Sequence, residues 1–143
     1  MLLQFAGAFL FIIPSKTKHM KFNKLVPNVF YIDAKVGLKT FVDCLGFKIG
    51  YDDLQSKEQP FCTLERDNLC LHLIQSKEFA EKDRPEFRLE TDNIEEVYKQ
   101  VHEKFPELLH PNLKKVTERA WGAKEFAVLD TSGVCIVIQQ WKK

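Results

Sequence analysis

An α+β fold of two tandem βαβββ modules is predicted by three features of this 143-residue chain. Strand-like segments alternate with two amphipathic helical segments, polar turn residues separate them, and the second half repeats the pattern of the first. The strands are expected to form a curved, cleft-forming mixed-sheet assembly. With 45% hydrophobic and 29% charged residues and a formal net charge of +1, the composition is that of a soluble globular domain. It excludes a disordered tail and gives no basic field to hold nucleic acid non-specifically. The twelve Phe are the unusual feature. Such aromatics fill a core or line a cleft for a flat apolar ligand.

Residues 26–33 read as a strand from their Val, Phe, Tyr and Ile content. Leu38, Phe41, Val42 and Leu45 then fall at i, i+3, i+4 and i+7, one face of a helix that Gly46 ends. Residues 47–54, 61–66 and 69–75 follow as strands, with turn residues such as Asp67-Asn68 between them. After a charged connector, residues 77–84, the pattern restarts. Residues 86–91 are extended, and Ile94, Val97, Tyr98, Val101 and Phe105 mark a second helix capped by Asp92 or Asn93. A loop holding Pro106 and Pro111 leads to strands at 113–118, 124–130 and 134–140. The expected organisation is an extension over residues 1–19 and a domain over 20–143, with module one at 24–76 and module two at 85–141.

The repeat can be checked residue by residue. A shift of 65 places Phe61 on Phe126, Leu64 on Leu129, Leu69 on Val134, Cys70 on Cys135, Leu71 on Ile136, Leu73 on Ile138 and Gln75 on Gln140. The first strands align at a shift of 59, with Asp33 on Asp92, which puts about six extra residues of module two near His110.

Residues 1–13 are almost wholly apolar, too short for the roughly 20-residue span of a bilayer helix. They also lack the basic start of a secretory signal, since Lys16 and Lys18 come after them. Met20 is therefore expected to open the compact domain; the alternative is a tail that meets a membrane surface or a partner. Cys44, Cys62, Cys70 and Cys135 contain no C-x-x-C pair, and no His stands at zinc-finger spacing. Reduced thiols are expected, and with them a cytoplasmic protein.

The stretch from Asp33 through Leu38, Phe41 and Leu45 to Gly46-Phe47 resembles the first module of the glyoxalase, bleomycin resistance and extradiol dioxygenase superfamily, also called vicinal oxygen chelate proteins. Trp121-Gly122-Ala123-Lys124-Glu125-Phe126, followed by Asp130-Thr131-Ser132-Gly133, resembles the bleomycin resistance signature W-G-x-R-E-F and D-P-x-G-N. Lys124 replaces the usual Arg, Ser132 lies in the turn and Val134 stands where Asn is common. The resemblance covers residues 24–140 and implies that superfamily's fold. Its enzymes hold a divalent metal with His and Glu, and the corresponding slots here are Val26, Pro85, Val137 and His72, with Asn28 and Glu86 nearby. One metal-capable side chain in four slots falls short of the three protein ligands of most catalytic sites, so no metal or cofactor is expected.

The resemblance implies instead a dimer that sequesters a small aromatic molecule, such as a bleomycin-like antibiotic, between aromatic side chains. Trp121 matches the Trp of the W-G motif and Phe61 the aromatic at the start of the third strand. Strand alternation places Cys70 and His72 on the cleft side with Ile74, and Leu69, Leu71 and Leu73 toward the helices. His72 can hydrogen-bond a ligand; equally, a lone His in a strand is a cleft wall or core residue, and Cys70 two residues away is its neighbour by geometry alone. No catalytic residue is assigned. Trp121 is equally read as a packing residue, and Phe61, as the repeat mate of Phe126, as core. A cationic glycopeptide would need acids, and Asp52, Asp53, Glu65, Asp67 and Glu118 lie near the expected rim, interleaved with Lys57, Arg66, Arg119 and Lys124. A metal-dependent lyase, isomerase or dioxygenase is the enzyme alternative, and a regulatory interaction module with a closed cleft is the third.

Overall fold

The computed structural model describes residues 22–82 and 85–143. The expected extension at 1–19 and Arg84 of the connector lie outside the described residues. The elements are β1 (Asn28–Tyr31), α1 (Ala34–Leu38) running into a π-helical turn (Lys39–Cys44), β2 (Lys48–Asp53), β3 (Phe61–Arg66), β4 (Leu69–Gln75), α2 (Lys77–Lys82), β5 (Glu86–Glu90), α3 (Ile94–Lys104), a 3-10 turn (Pro106–Leu108), β6 (Thr117–Glu118), β7 (Ala123–Leu129) and β8 (Cys135–Trp141). They form two four-stranded mixed sheets of the same topology, β1-β4-β3-β2 and β5-β8-β7-β6. In each, the first strand runs parallel to the last and the others are antiparallel. The fold is α+β, as the periodicity predicts.

Both halves begin in the same way. The Asp33 carboxylate caps α1 by accepting from the Lys35 amide, and Asn93 caps α3 by accepting from the Glu96 amide. The amides of Ala34 and Ile94 donate to the side chains of Gln75 and Gln140 at 2.9 and 2.8 Å. Gly37 is required because α1 lies so close to the sheet that a Cβ there would meet the Tyr31 ring at 2.5 Å and Leu73 at 2.6 Å. Gly46, at φ +76°, ends the helix in a left-handed turn.

Four local readings change. The connector contains α2, whose Lys77–Glu81 and Lys82–Glu78 pairs are spaced i, i+4 and whose first turn begins at Ser76. The strand expected at 113–118 shrinks to Thr117–Glu118 because the chain touches the edge of β7 and turns away: the His110 amide donates to the Ala127 carbonyl and the Ala127 amide to the Leu113 carbonyl. The first strands superpose at a shift of 60 rather than 59, since Asn28 pairs with His72 and Arg88 with Val137. The third strands superpose at 64 rather than 65, since Leu64 pairs with Leu71 while Val128 pairs with Ile136. Counted between equivalent positions, the turn from β7 to β8 is one residue longer, with three residues between Asp130 and Val134 against two between Arg66 and Leu69. Phe126 therefore shares the core face with Cys62 and Leu64, and the mate of Phe61 on the opposite face is Glu125.

The helix-bearing faces of both sheets meet in one hydrophobic core, which joins Tyr31, Phe41, Leu64 and Leu73 to Ile94, Phe126, Val128 and Ile138. A polar clasp crosses it. The Asp130 carboxylate, 5% exposed, accepts from the Tyr31 hydroxyl at 2.7 Å and from Thr40 at 3.0 Å, both in the other half of the chain. Its second oxygen accepts from the amides of Ser132 and Val134 at 3.0 and 3.1 Å. Burial, and then the Asp130 charge, push the Tyr31 hydroxyl above its ordinary pKa of 10.0. Burial also raises the Cys44 and Cys62 thiols from 9.0 to about 11.

Two outcomes are expected. Asp130→Ala leaves the buried Tyr31 hydroxyl without its acceptor, at about 1–3 kcal/mol, while Thr40 keeps the Val36 carbonyl at 3.1 Å and the Ser132 and Val134 amides lose their carboxylate, so the urea midpoint should fall sharply; an unchanged midpoint would show the clasp to be dispensable. The folded pKa values are raised, so this stabilisation is intact below the unfolded values and is lost as pH rises. Stability should decline from pH 9.0 upward with the thiols and from 10.0 with Tyr31, and Tyr31→Phe should flatten the second part of that decline in denaturant titrations across pH.

Candidate aromatic binding faces

Each sheet has a second face, turned away from the common core. On the first sheet, strand register arranges this face in rows. Phe30, Ile74 and Phe61 form an apolar row across β1, β4 and β3; Asn28, His72 and Thr63 form a polar row beside it; Cys70, Glu65 and Lys48 form the next. A bulge in β2 sets Gly50 and Tyr51 opposite the single residue Thr63, whose hydroxyl accepts from the Tyr51 amide at 2.7 Å. The bulge brings the exposed Tyr51 ring to 5.6 Å from the Phe61 ring, and Phe61 lies 6.0 Å from the His72 ring. Phe30 continues the surface to Phe79 of α2 at 5.1 Å.

On the second sheet the equivalent face is charged. Glu125, 2% exposed, accepts from Arg88 at 2.8 Å, Arg119 at 3.2 Å and Gln139 at 3.0 Å. Burial of this carboxylate is tolerated because three donors surround it. Arg119 in turn lies over the Trp121 ring, 5.5 Å from its centroid. Trp121 is 55% exposed in a turn that depends on Gly122: its φ of +93° suits glycine, and its amide and carbonyl engage Arg119 and Lys142. The motif thus divides its labour. Trp121 is displayed, Gly122 bends the chain, Glu125 anchors the arginine beneath Trp121, and Phe126 packs edge-on against Tyr98 in the core.

The structure brings Phe61, Cys70 and His72 together on the first open face. It places Trp121 and Glu118 at the β6–β7 turn of the other sheet. Among the described residues no ring contact or hydrogen bond joins the two groups, and none joins Cys70 to His72. Glu118 accepts from Lys142 at 2.6 Å, and that ammonium holds its carboxyl below the ordinary glutamate range. Asp52 caps the Leu54 amide, and Asp67 lies 3.6 Å from Arg66. No three or more His, Cys, Asp or Glu side chains cluster to hold a metal among the described residues, and no described helix is long and apolar enough to cross a membrane. Tyr51 and the contacts of Glu125 with Arg88 and Arg119 escape sequence reasoning, whereas alternation does place Gln139 on that face. A charged residue alternating with Phe126 and Val128 in an otherwise apolar strand was the available signal for Glu125.

No family model and no curated protein matches the sequence. Solved structures do. A bleomycin-binding protein complexed with bleomycin superposes with TM-score 0.65 at 19% identity, covering 85% of this chain and all of that one. The bleomycin-binding protein of bleomycin-producing Streptomyces verticillus gives 0.63 at 21%, covering 87% and 100%. TnmS3, an antibiotic binding protein from Streptomyces sp. CB03234, gives 0.67 at 16%, covering 87% and 100%. With its repeated sheet order, its shared core and these superpositions, the chain has the fold of the bleomycin-binding proteins.

Proposed function

We propose that this protein binds a flat aromatic molecule and sequesters it without making or breaking a bond, in a cleft closed by the open face of the first sheet of one copy and the Trp121 turn of another. The observation that carries this reading is the pair of displayed aromatic surfaces turned away from the core: Tyr51 and Phe61 beside the polar row of Asn28, His72 and Thr63, and Trp121 held on Arg119. The first supplies a stacking surface with hydrogen-bonding groups along its edge, and the second a stacking surface with a fixed cation behind it. Two faces that lie on separate sheets close a cleft when a second copy supplies one of them. Bleomycin, the molecule complexed with one structural neighbour, gives the probe for the class.

Electrostatics narrow the ligand. Glu118 is bound by Lys142 and Glu125 by two arginines, so the carboxylates beside Trp121 are already neutralised. A flat aromatic of low charge suits this site better than a strongly cationic glycopeptide. No metal takes part in this reading, and Cys70 and His72 line the face as contact groups rather than as a nucleophile and base. The protein acts in the cytoplasm.

Titration calorimetry with metal-free bleomycin and with simpler planar heteroaromatics tests it. Phe61→Ala and Trp121→Ala are each expected to weaken binding about five- to tenfold, the scale of one lost aromatic pair; no heat with any of them would remove the sequestration assignment. Light scattering should give a dimer, and a monomer would sink the two-copy cleft. Stoichiometric transition metal in the purified protein would overturn the metal-free reading. Glu125→Gln is expected to release Arg119 and shift the Trp121 emission, while a spectrum identical to wild type would show that Trp121 is placed without it.

A further inference from the structure

The two ends of the seam between the sheets are related by the internal repeat, yet they are built differently. At one end Tyr31 of β1 and Asp130 after β7 close the seam. The strand registers make Thr91 the counterpart of Tyr31 and Arg66 the counterpart of Asp130. A hydroxyl-bearing stub replaces the phenol. Arg66 turns back instead of crossing, donating to the Leu45 carbonyl at 2.7 Å and lying 3.6 Å from Asp67. A cavity of about 190 Å³ remains, walled by Leu45 from one half and Leu89, Val97, Val101 and Ile138 from the other, with Thr91 on its lining and Leu69 beside the Arg66-Asp67 turn. None of Phe61, Cys70, His72, Glu118 and Trp121 lines it.

We infer that this open end of the seam is a second binding site, independent of the aromatic faces, for a small neutral ring bearing one hydroxyl or carbonyl oxygen. Size sets the ring: a dry apolar cavity of about 150 Å³ accepts benzene. The polar groups set the charge. Arg66 is held by Leu45 and Asp67, the Glu90 carboxylate accepts from the Trp141 indole at 2.9 Å, and the Gln100 amide donates to Glu96 at 3.0 Å. Against the apolar wall of Leu45, Leu89, Val97, Val101 and Ile138 a charged ligand would be desolvated without a partner. The Thr91 hydroxyl oxygen accepts from the Asn93 amide at 3.1 Å, which leaves its proton to donate to one ligand oxygen. The occupant touches both halves of the chain and so takes the place that Tyr31 fills at the clasped end.

Phenol is the probe, titrated into the full-length, isotopically labelled protein and followed by amide chemical shifts and thermal unfolding. Saturable shifts at Leu45, Leu89, Thr91, Val97 and Val101, with a melting temperature that rises with phenol, are expected in the wild type and in Phe61→Ala. Leu69 is 47% exposed, so Leu69→Trp should obstruct the cavity without straining the core; Val97→Phe fills it from α3. Both should abolish the response. No saturable shift up to about 20 mM phenol, well above a millimolar Kd, would overturn the site, as would shifts confined to the Phe61 or Trp121 faces, or a response that survives in both folded variants. Loss of antibiotic-type binding in Phe61→Ala with the phenol response intact would separate this site from the proposed cleft.

Discussion

One buried carboxylate organises this molecule. Asp130 closes its own turn through two backbone amides and reaches across the core to Tyr31 and Thr40. A charge removed from water is tolerated only when its lone pairs are satisfied, and here the donors come from both halves of the chain. The carboxylate is therefore content only when the halves are docked in one arrangement. The apolar residues around it, from Phe41 and Leu73 to Phe126 and Ile138, supply the driving force for that docking; the clasp supplies its direction.

Because the halves dock through their helix-bearing faces, the other face of the first sheet stays open, whereas that of the second is covered over Glu125, Ala127, Val137 and Gln139 and displays only its edge at Trp121. Those faces are equivalent in topology and opposite in chemistry. Phe61 on the first corresponds to Glu125 on the second, and the rows of Phe30, Ile74 and Phe61 contrast with the net of Arg88, Glu125, Arg119 and Gln139. The same asymmetry appears at the seam, where Tyr31 and Asp130 lock one end and their counterparts Thr91 and Arg66 leave a cavity at the other. A duplicated backbone thus carries unlike surfaces, because backbone hydrogen bonding needs only strand and helix propensity while each face's character rests on single side chains.

The bleomycin-resistance-like motif acquires a physical reading residue by residue. Gly122 and Gly133 occupy left-handed backbone at the two turns flanking β7. Between them, alternation sends Glu125 to the far face of the sheet, under Arg119 and Trp121, and Phe126 to the core, so adjacent residues of one short segment serve the site and the fold respectively. Asp130 then ties the end of that segment to the opposite half. The replacement of the usual Arg by Lys124 falls on a side chain that approaches Glu95 of α3 rather than the Trp121 face, so the departure leaves the displayed surface untouched.

The α+β class, both capped helices, most strands and the existence of a repeat were decided by the sequence alone, because hydrophobic periodicity and turn chemistry act over neighbouring residues. Period two also puts Cys70 and His72 on one face of their strand, while Phe61 joins them only through the pairing of β3 with β4. Residue identities at a shift of 65 nevertheless paired Phe61 with Phe126, and only the tertiary structure corrects this. One extra residue in the β7–β8 turn moves the register by one, and in a strand one residue exchanges core for surface. The clasp of Tyr31 with Asp130 and the seam cavity were likewise beyond sequence reading, since each depends on how two finished halves pack; so was the burial of Glu125 among arginines, which depends on how β5, β7, β8 and the β6–β7 turn meet within the second half.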